Sequence, residues 1–300
     1  MKLKGMLGNW KVLLALLLAV TVVFIPACAG GPQEPLKIGV TPWSCTIPQS
    51  HVAKIILVEE LGYEVELIEA DLPVVVTGMA KGDIDMHLDA WFPTHWEQYY
   101  KKHQDIIESC GLLYGEGLWG WGVSDFGETD IESIGDLKGH EKEFDYDGDG
   151  IGDIYGLEPG CETSRLAPEV LEAYGLADTW KYTGSSEWAM LAQLDKAYKE
   201  HHYLAFALWE PHWAFGAYEG IRMLKETKGF YGAADVHKMV LKDLAERAPK
   251  AYRFISKFEI SKADISYMIN EIEQKERDPD VVAREWIAKN QEKIAEMLRE

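Results

Sequence analysis

Ile84, Met86 and Leu88 alternate with polar residues in the stretch Gly82-Asp-Ile-Asp-Met-His-Leu-Asp-Ala-Trp-Phe-Pro-Thr-His-Trp96. That is the two-residue period of a half-buried strand. Pro93 cannot donate to a sheet ladder, so the strand ends near Trp91 and presents a large aromatic and a titratable His95 at its end. A second stretch repeats the arrangement: Tyr203-Leu-Ala-Phe-Ala-Leu-Trp209, then Glu210-Pro-His-Trp213. Upstream, Pro35-Leu-Lys-Ile-Gly-Val40 reads as a strand leading to Trp43. A helix follows with Val52, Ile55, Ile56 and Leu61 apolar and Gly62 as its stop. Tyr63 to Ile68 alternates like a strand, and Leu72 to Lys81 suits a short helix. Strand, helix, strand, helix, strand at this spacing predicts an α/β chain with a mainly parallel sheet flanked by helices. Such sheets bind ligands beyond the carboxyl ends of their strands, where Trp43 and Trp91 fall.

Gly111 to Asp125, rich in glycine and aromatics, reads as an extended crossover into a second lobe, with Trp119 and Trp121 packed between the lobes. Ile131 to Leu137 suits a short helix and Ile154 to Leu157 a strand. Pro159-Gly-Cys-Glu-Thr-Ser164 leads into a helix through Tyr174, with Thr163 or Ser164 at its cap. The N–H groups of that first turn can receive an anion without a basic side chain. Ser185-Ser186 opens another helix, with Met190, Leu191 and Leu194 facing inward. The strand ending at Trp209 is expected to return the chain to the first lobe. From Val236 to Glu300 the pattern is amphipathic helices, read as a cover. The expected organisation is a first lobe over 36–117, a second over 118–208, and a return to the first over 209–300.

The N-terminus adds a location. Lys2, Lys4 and Lys11 precede an apolar run from Val12 to Ile25, the pattern of an export signal over residues 1–27. The run ends Ile25-Pro-Ala-Cys28-Ala-Gly-Gly-Pro, which resembles a lipobox, with Pro26 where that pattern has a small residue. The resemblance implies a lipid on Cys28, a tether over 28–35, and a protein held outside the cell membrane. The net charge of −20 over 300 residues excludes nucleic acid as a partner, since nothing neutralises phosphates. No glycine loop ends in Gly-Lys-Ser/Thr, so no nucleotide site is expected. With Cys28 acylated, Cys45, Cys110 and Cys161 allow one disulfide whose pairing spacing does not choose.

Asp145, Asp147, Asp149 and Asp153, with Gly150 in the sixth place, match the first half of a calcium loop. The twelfth position is Gly156 rather than Glu, leaving Glu158 as the nearest substitute. Calcium therefore stands beside the plainer reading of a solvated Asp-Gly turn. No cofactor is required.

Eleven tryptophans is a high count, and their positions give it meaning. The chain resembles the extracytoplasmic substrate-binding proteins of compatible-solute ABC transporters, the glycine betaine and proline betaine family. The likeness runs from about Leu36 to the C-terminus. It rests on Gly62-Tyr63, Gly82-Asp-Ile-Asp85, Asp89-Ala-Trp-Phe-Pro-Thr-His95, Ser185-Ser186 before Ala-Met190, Leu208-Trp-Glu-Pro-His-Trp213, and Gly229-Phe-Tyr-Gly232 before His237. The resemblance implies a two-lobed, type II periplasmic-binding-protein fold, monomeric, delivering its solute to an ABC permease. It implies an aromatic cage of Trp43, Trp91 and Trp209. His95 and the N–H groups of Glu162 and Thr163 would meet the ligand carboxylate. Trp188, where relatives have a small residue, is either a fourth wall or a support.

The chemistry agrees with that reading. A quaternary ammonium cannot donate hydrogen bonds, whereas aromatic faces attract it by roughly 0.5–2 kcal/mol per ring. Two other classes were weighed. A carbohydrate-active enzyme needs two carboxylates across a cleft, and Asp85 and Asp89 share one strand. A calcium-dependent surface adhesin would rest on the acidic loop alone.

Overall fold

The computed structural model describes residues 34–299, which form one compact unit from Pro35 onward. The signal and lipidation expectations for residues 1–27 and Cys28 lie outside the described residues. β1 (Leu36–Val40), β2 (Val65–Glu69) and β3 (Met86–Phe92) alternate with α1 (Ile47–Glu59) and α2 (Leu72–Lys81), as the pattern predicts. α2 ends at Gly82, whose φ of 80° lies in the left-handed region that closes a helix with little strain in glycine. α3 (His95–His103) follows β3, and the expected crossover is one long strand, β4 (Ile107–Ser124). Then come β5 (Gly152–Gly156), α4 (Glu162–Tyr174), β6 (Trp180–Gly184), α5 (Glu187–Glu200), β7 (Leu204–Glu210), β8 (Ile221–Met223) and β9 (Gly232–Leu241). Ser186 caps α5 by accepting from the Ala189 N–H at 3.2 Å, and Met190, Leu191 and Leu194 are buried as expected.

The strands form a single mixed sheet in the order β2-β1-β3-β9-β4-β7-β5-β6, with β8 beside β4. Its parallel pairings lie toward the two ends: β1 with β2 and β3, and β5 with β6 and β7. The middle is antiparallel: β9 pairs antiparallel with β3 and with β4, and β4 with β7. The strand ending at Trp209 does not carry the chain back toward β3. It pairs with β4 and β5, and the return is made by β9.

β9 also replaces the start of the expected helical cover, since Val236 to Leu241 are strand. Lys238 hid it by putting a charge in an apolar run. Its side chain is fully buried, and Nζ donates to the carbonyls of Phe258 at 2.6 Å and Ser256 at 3.2 Å. Those carbonyls end the helix Pro249–Lys257, a place that suits a cation. Burial lowers the ammonium's pKa to about 8. Helices do follow, from Leu244 to Met297. Two apolar clusters fill the interior: a large one that includes the rings of Trp43, Trp91 and Trp209, and a smaller one around Trp121, Phe144, Ile154 and Trp180. Among the described residues no helix is long and apolar enough to cross a membrane.

Candidate functional site

Three strand ends deliver three tryptophans to one cavity. Trp43 follows β1, and Trp91 and Trp209 are the second-to-last residues of β3 and β7. All three are buried and line the same small, mainly apolar cavity. Thr163, at the start of α4, lines it too.

Each ring is held by a stated contact. Trp91 Nε1 donates to Asp89 Oδ2 at 3.0 Å, and its ring meets Tyr114 edge-on. A Cβ at Gly117 would stand 2.7 Å from Trp91 Cζ3, so β4 passes the ring only because that residue is glycine. Trp43 Nε1 donates to Glu158 Oε1 at 3.2 Å. Trp209 lies opposite Trp119 in the β4–β7 ladder and stands edge-on to the His212 ring.

Asp89 is completely buried, and burial raises its pKa to about 7 against the hydrogen bonds from Trp91, Cys45 and Gln49. Cys45 and Cys161 line the cavity as free thiols. Burial pushes Cys45 well above the ordinary thiol value and Cys161 up to about 12. Both are inert walls rather than nucleophiles. Cys110 is also free and buried, so the three described cysteines make no disulfide.

The anion end differs in detail from expectation. α4 begins at Glu162 with Cys161 as its N-cap, and Cys161 makes no side-chain capping bond. Neither Thr163 nor Ser164 caps the helix. Ser164 Oγ instead donates to the Leu157 carbonyl, as the backbone turns back toward β5. The Glu162 carboxylate pairs with Arg165, at 2.8 and 2.5 Å, and Glu162, unlike Thr163, is not part of the cavity wall. His95 is the first residue of the helix His95–His103; its side chain lies outside the described residues. Trp188 is 46% exposed and is absent from the cavity wall, while its neighbour Glu187 is buried.

Thr94, Trp119, Leu157 and Leu208 also line the cavity and were not anticipated as site residues. Trp119 was expected between lobes. Its facing of Trp209 depends on strand register, which no local pattern reveals. Cys45 and Cys161 had a usable signal, since they stand two residues after Trp43 and one before Glu162.

In the acidic loop, carboxylate oxygens of Asp145, Asp147 and Asp149 lie within 4.8 Å of one another. Lys181 Nζ reaches Asp147 and Asp149 at 2.7 Å and Asp153 at 3.3 Å. Asp145 accepts from the N–H groups of Gly148, Asp149 and Gly150, and buried Asp153 from that of Tyr146. Glu158 does not complete this loop, because it is engaged with Trp43.

Comparison with known proteins agrees with the geometry. The profile of the substrate-binding domain of ABC-type glycine betaine transport systems matches residues 34–289. The glycine betaine/carnitine transport binding protein GbuC of Listeria monocytogenes is 31% identical over 144 residues, a match spanning 47% of each chain, or about half its length. The glycine betaine-binding periplasmic protein OusX of Dickeya dadantii is 26% identical across 91% of this chain and 93% of its own. Among solved structures, the glycine/betaine/L-proline-binding protein ProX of Borrelia burgdorferi superposes with a TM-score of 0.78 at 27% identity, covering 87% of this chain and 95% of that one. These proteins bind a solute rather than turn it over, and neither the carbohydrate-active nor the adhesin reading is favoured. The chain belongs to the family of substrate-binding domains of ABC-type glycine betaine transport systems.

Proposed function

We propose that this protein captures glycine betaine or a close quaternary ammonium relative and hands it to an ABC permease. The trimethylammonium head would lie among Trp43, Trp91 and Trp209, with Trp119 closing a side. The carboxylate would meet the first-turn N–H groups of α4 at Glu162 and Thr163, and His95. The observation that carries this reading is the convergence of three tryptophans, from strand ends far apart in sequence, on one small cavity. Supporting it is a helix start with no side-chain cap at the same cavity, which is what an anion needs. Three rings at roughly 0.5–2 kcal/mol each supply enough for micromolar binding once ordering costs are met. The wings of the sheet around β1 and β5 act in this reading as two closing lobes, with β4 and β9 as the strands that pass between them. A calorimetric screen of quaternary ammonium solutes tests it. Betaine should bind and choline, lacking the carboxylate, more weakly; no binding of any member of the series sinks it.

The protein acts, on this reading, as a monomer held to the membrane by a lipid on Cys28, in keeping with a periplasmic-binding family. Cys28→Ser should release it from the membrane fraction or block its processing. Normal processing with full membrane retention counts against the anchor.

No cofactor enters the mechanism. Calcium is the one metal with a candidate place, on Asp145, Asp147 and Asp149, where it would displace Lys181 and stiffen the loop. Lys181→Met should then raise the thermal shift produced by calcium above that of the wild type. No heat and no shift in either protein removes calcium from the account.

A further inference from the structure

Two carboxylates from one wing of the sheet reach the same corner of the other. Glu158, just after β5, accepts from Trp43 Nε1 at 3.2 Å. Glu187, at the start of α5, accepts from the backbone N–H of Ser44 at 2.9 Å. β1 delivers Trp43 and Ser44, and β3, β9, β4 and β7 stand between it and β5. Five strand spacings are about 24 Å in a flat sheet. The two hydrogen bonds therefore form only when the wings fold toward each other over the cavity.

Glu187 is itself anchored. Its Oε1 lies 3.3 Å from Nε2 of His212, and both side chains are fully buried. His212 Nδ1 accepts from the Ala214 N–H at 3.0 Å, which fixes the ring, and the approach of its Nε2 to Glu187 Oε1 is a close buried contact without hydrogen-bond geometry. The His212 ring stands edge-on to Trp209, with centroids 4.6 Å apart. A connected path thus runs from Trp43 through Ser44, Glu187 and His212 to Trp209, joining two rings of the cage from behind.

We propose that Glu158 and Glu187 are the positioning residues of the cage: they latch the Trp43–Ser44 corner to the opposite wing, so that closure and ring placement are set by the same two hydrogen bonds. The proposal deepens the betaine reading and rests on it for the identity of the ligand. Neither glutamate lines the cavity, so each acts through the corner it holds. An acceptor-only carboxylate suits the task, because both groups at that corner are donors. The ligand then selects an arrangement the latch already favours, and losing the latch should speed release more than it slows capture.

The test compares the wild type with Glu158→Ala, Glu158→Gln and Glu187→Gln. Betaine affinity and dissociation rate are measured together with the 19F signal of Trp43 in 5-fluorotryptophan-labelled protein, assigned by Trp43→Phe. The radius of gyration of the ligand-free proteins is measured by X-ray scattering. Glu158→Ala should weaken binding about tenfold, mainly through faster dissociation, and move the Trp43 signal. Glu158→Gln keeps an acceptor and should stay within about threefold. Glu187→Gln keeps the acceptor for Ser44 but turns an amide donor toward His212, and should fall between them. The ligand-free Glu158→Ala and Glu187→Gln proteins should be more open than the wild type. Unchanged affinity, or an unchanged Trp43 signal together with an unchanged radius, overturns the latch. A wild type that does not bind betaine, with variants that still open, overturns the ligand reading and upholds the latch.

Discussion

Trp209→Ala should weaken betaine binding by about tenfold or more, while Trp209→Phe should weaken it only a few-fold. Phenylalanine keeps an aromatic face toward the ammonium, and alanine keeps none. The alanine variant also loses one wall of the cavity, so water enters beside the head group and dilutes the pull of the remaining rings. Trp209 belongs to the large apolar cluster and is 6% exposed, so its removal should also cost about 3–5 kcal/mol of stability. Binding must therefore be measured well below the variant's melting temperature. Choline separates cage from anion site: Trp209→Ala should lower choline and betaine binding by similar factors, since both carry the same head. Equal betaine affinity in wild type and Trp209→Ala, with both proteins folded, would show that the cage is misassigned.

Much of this site was legible because its parts are local. Trp91 and Trp209 each end an apolar strand and are followed, one residue on, by a proline, so strand alternation and a forced stop fix where they stand. Trp43 follows the first strand in the same way. The helix start at Glu162 was readable from turn residues, although the choice of cap was not, because Ser164 turned to the Leu157 carbonyl. What stayed hidden depends on pairing at a distance. Trp119 faces Trp209 through the register of β4 with β7. Lys181 lies on β6, apart in sequence from the acidic loop it enters. β9 was misread because Lys238 looks like a surface charge until its two carbonyl partners are seen. Trp188 looked like a cage candidate from its neighbourhood, but Glu187 takes the inward position of that turn and leaves the indole at the surface. The antiparallel middle of the sheet follows from β4 and β9, and neither carries the local signature of a βαβ unit.

Removing either of two buried groups in β3 should uncover a pH dependence of stability that the wild type conceals. Burial raises Asp89 to about 7 and lowers His87 to about 4. His87 keeps a proton on Nδ1 for the Gly39 carbonyl at 2.9 Å, and its ring stacks on Trp96. Its Nε2 has no protein partner, so a second proton there would be an unpaired buried charge. In the unfolded chain the ordinary values are about 3.9 for Asp and 6.5 for His. Between roughly pH 4 and 6.5 the unfolded chain thus holds an ionised Asp and a protonated His, and the folded chain a protonated Asp and a neutral His. Each state binds one proton across the pair, so their slopes cancel. Asp89→Asn leaves the depressed histidine alone. Its stability relative to wild type should rise as pH climbs from about 4 to 7, by up to about 4 kcal/mol. His87→Gln leaves the raised carboxyl alone. Its relative stability should fall as pH climbs from about 4 to 6.5, by up to about 3 kcal/mol. Asparagine suits the first variant because its carbonyl oxygen still accepts from Trp91 Nε1, which keeps the cage ring in place. Urea unfolding of the three proteins at half-unit steps from pH 4.5 to 7 gives the comparison, and differences from wild type remove the background of the other titrating groups. Mirror-image slopes are the expected result; parallel curves for all three would mean that Asp89 and His87 do not hold these protonation states in the folded protein.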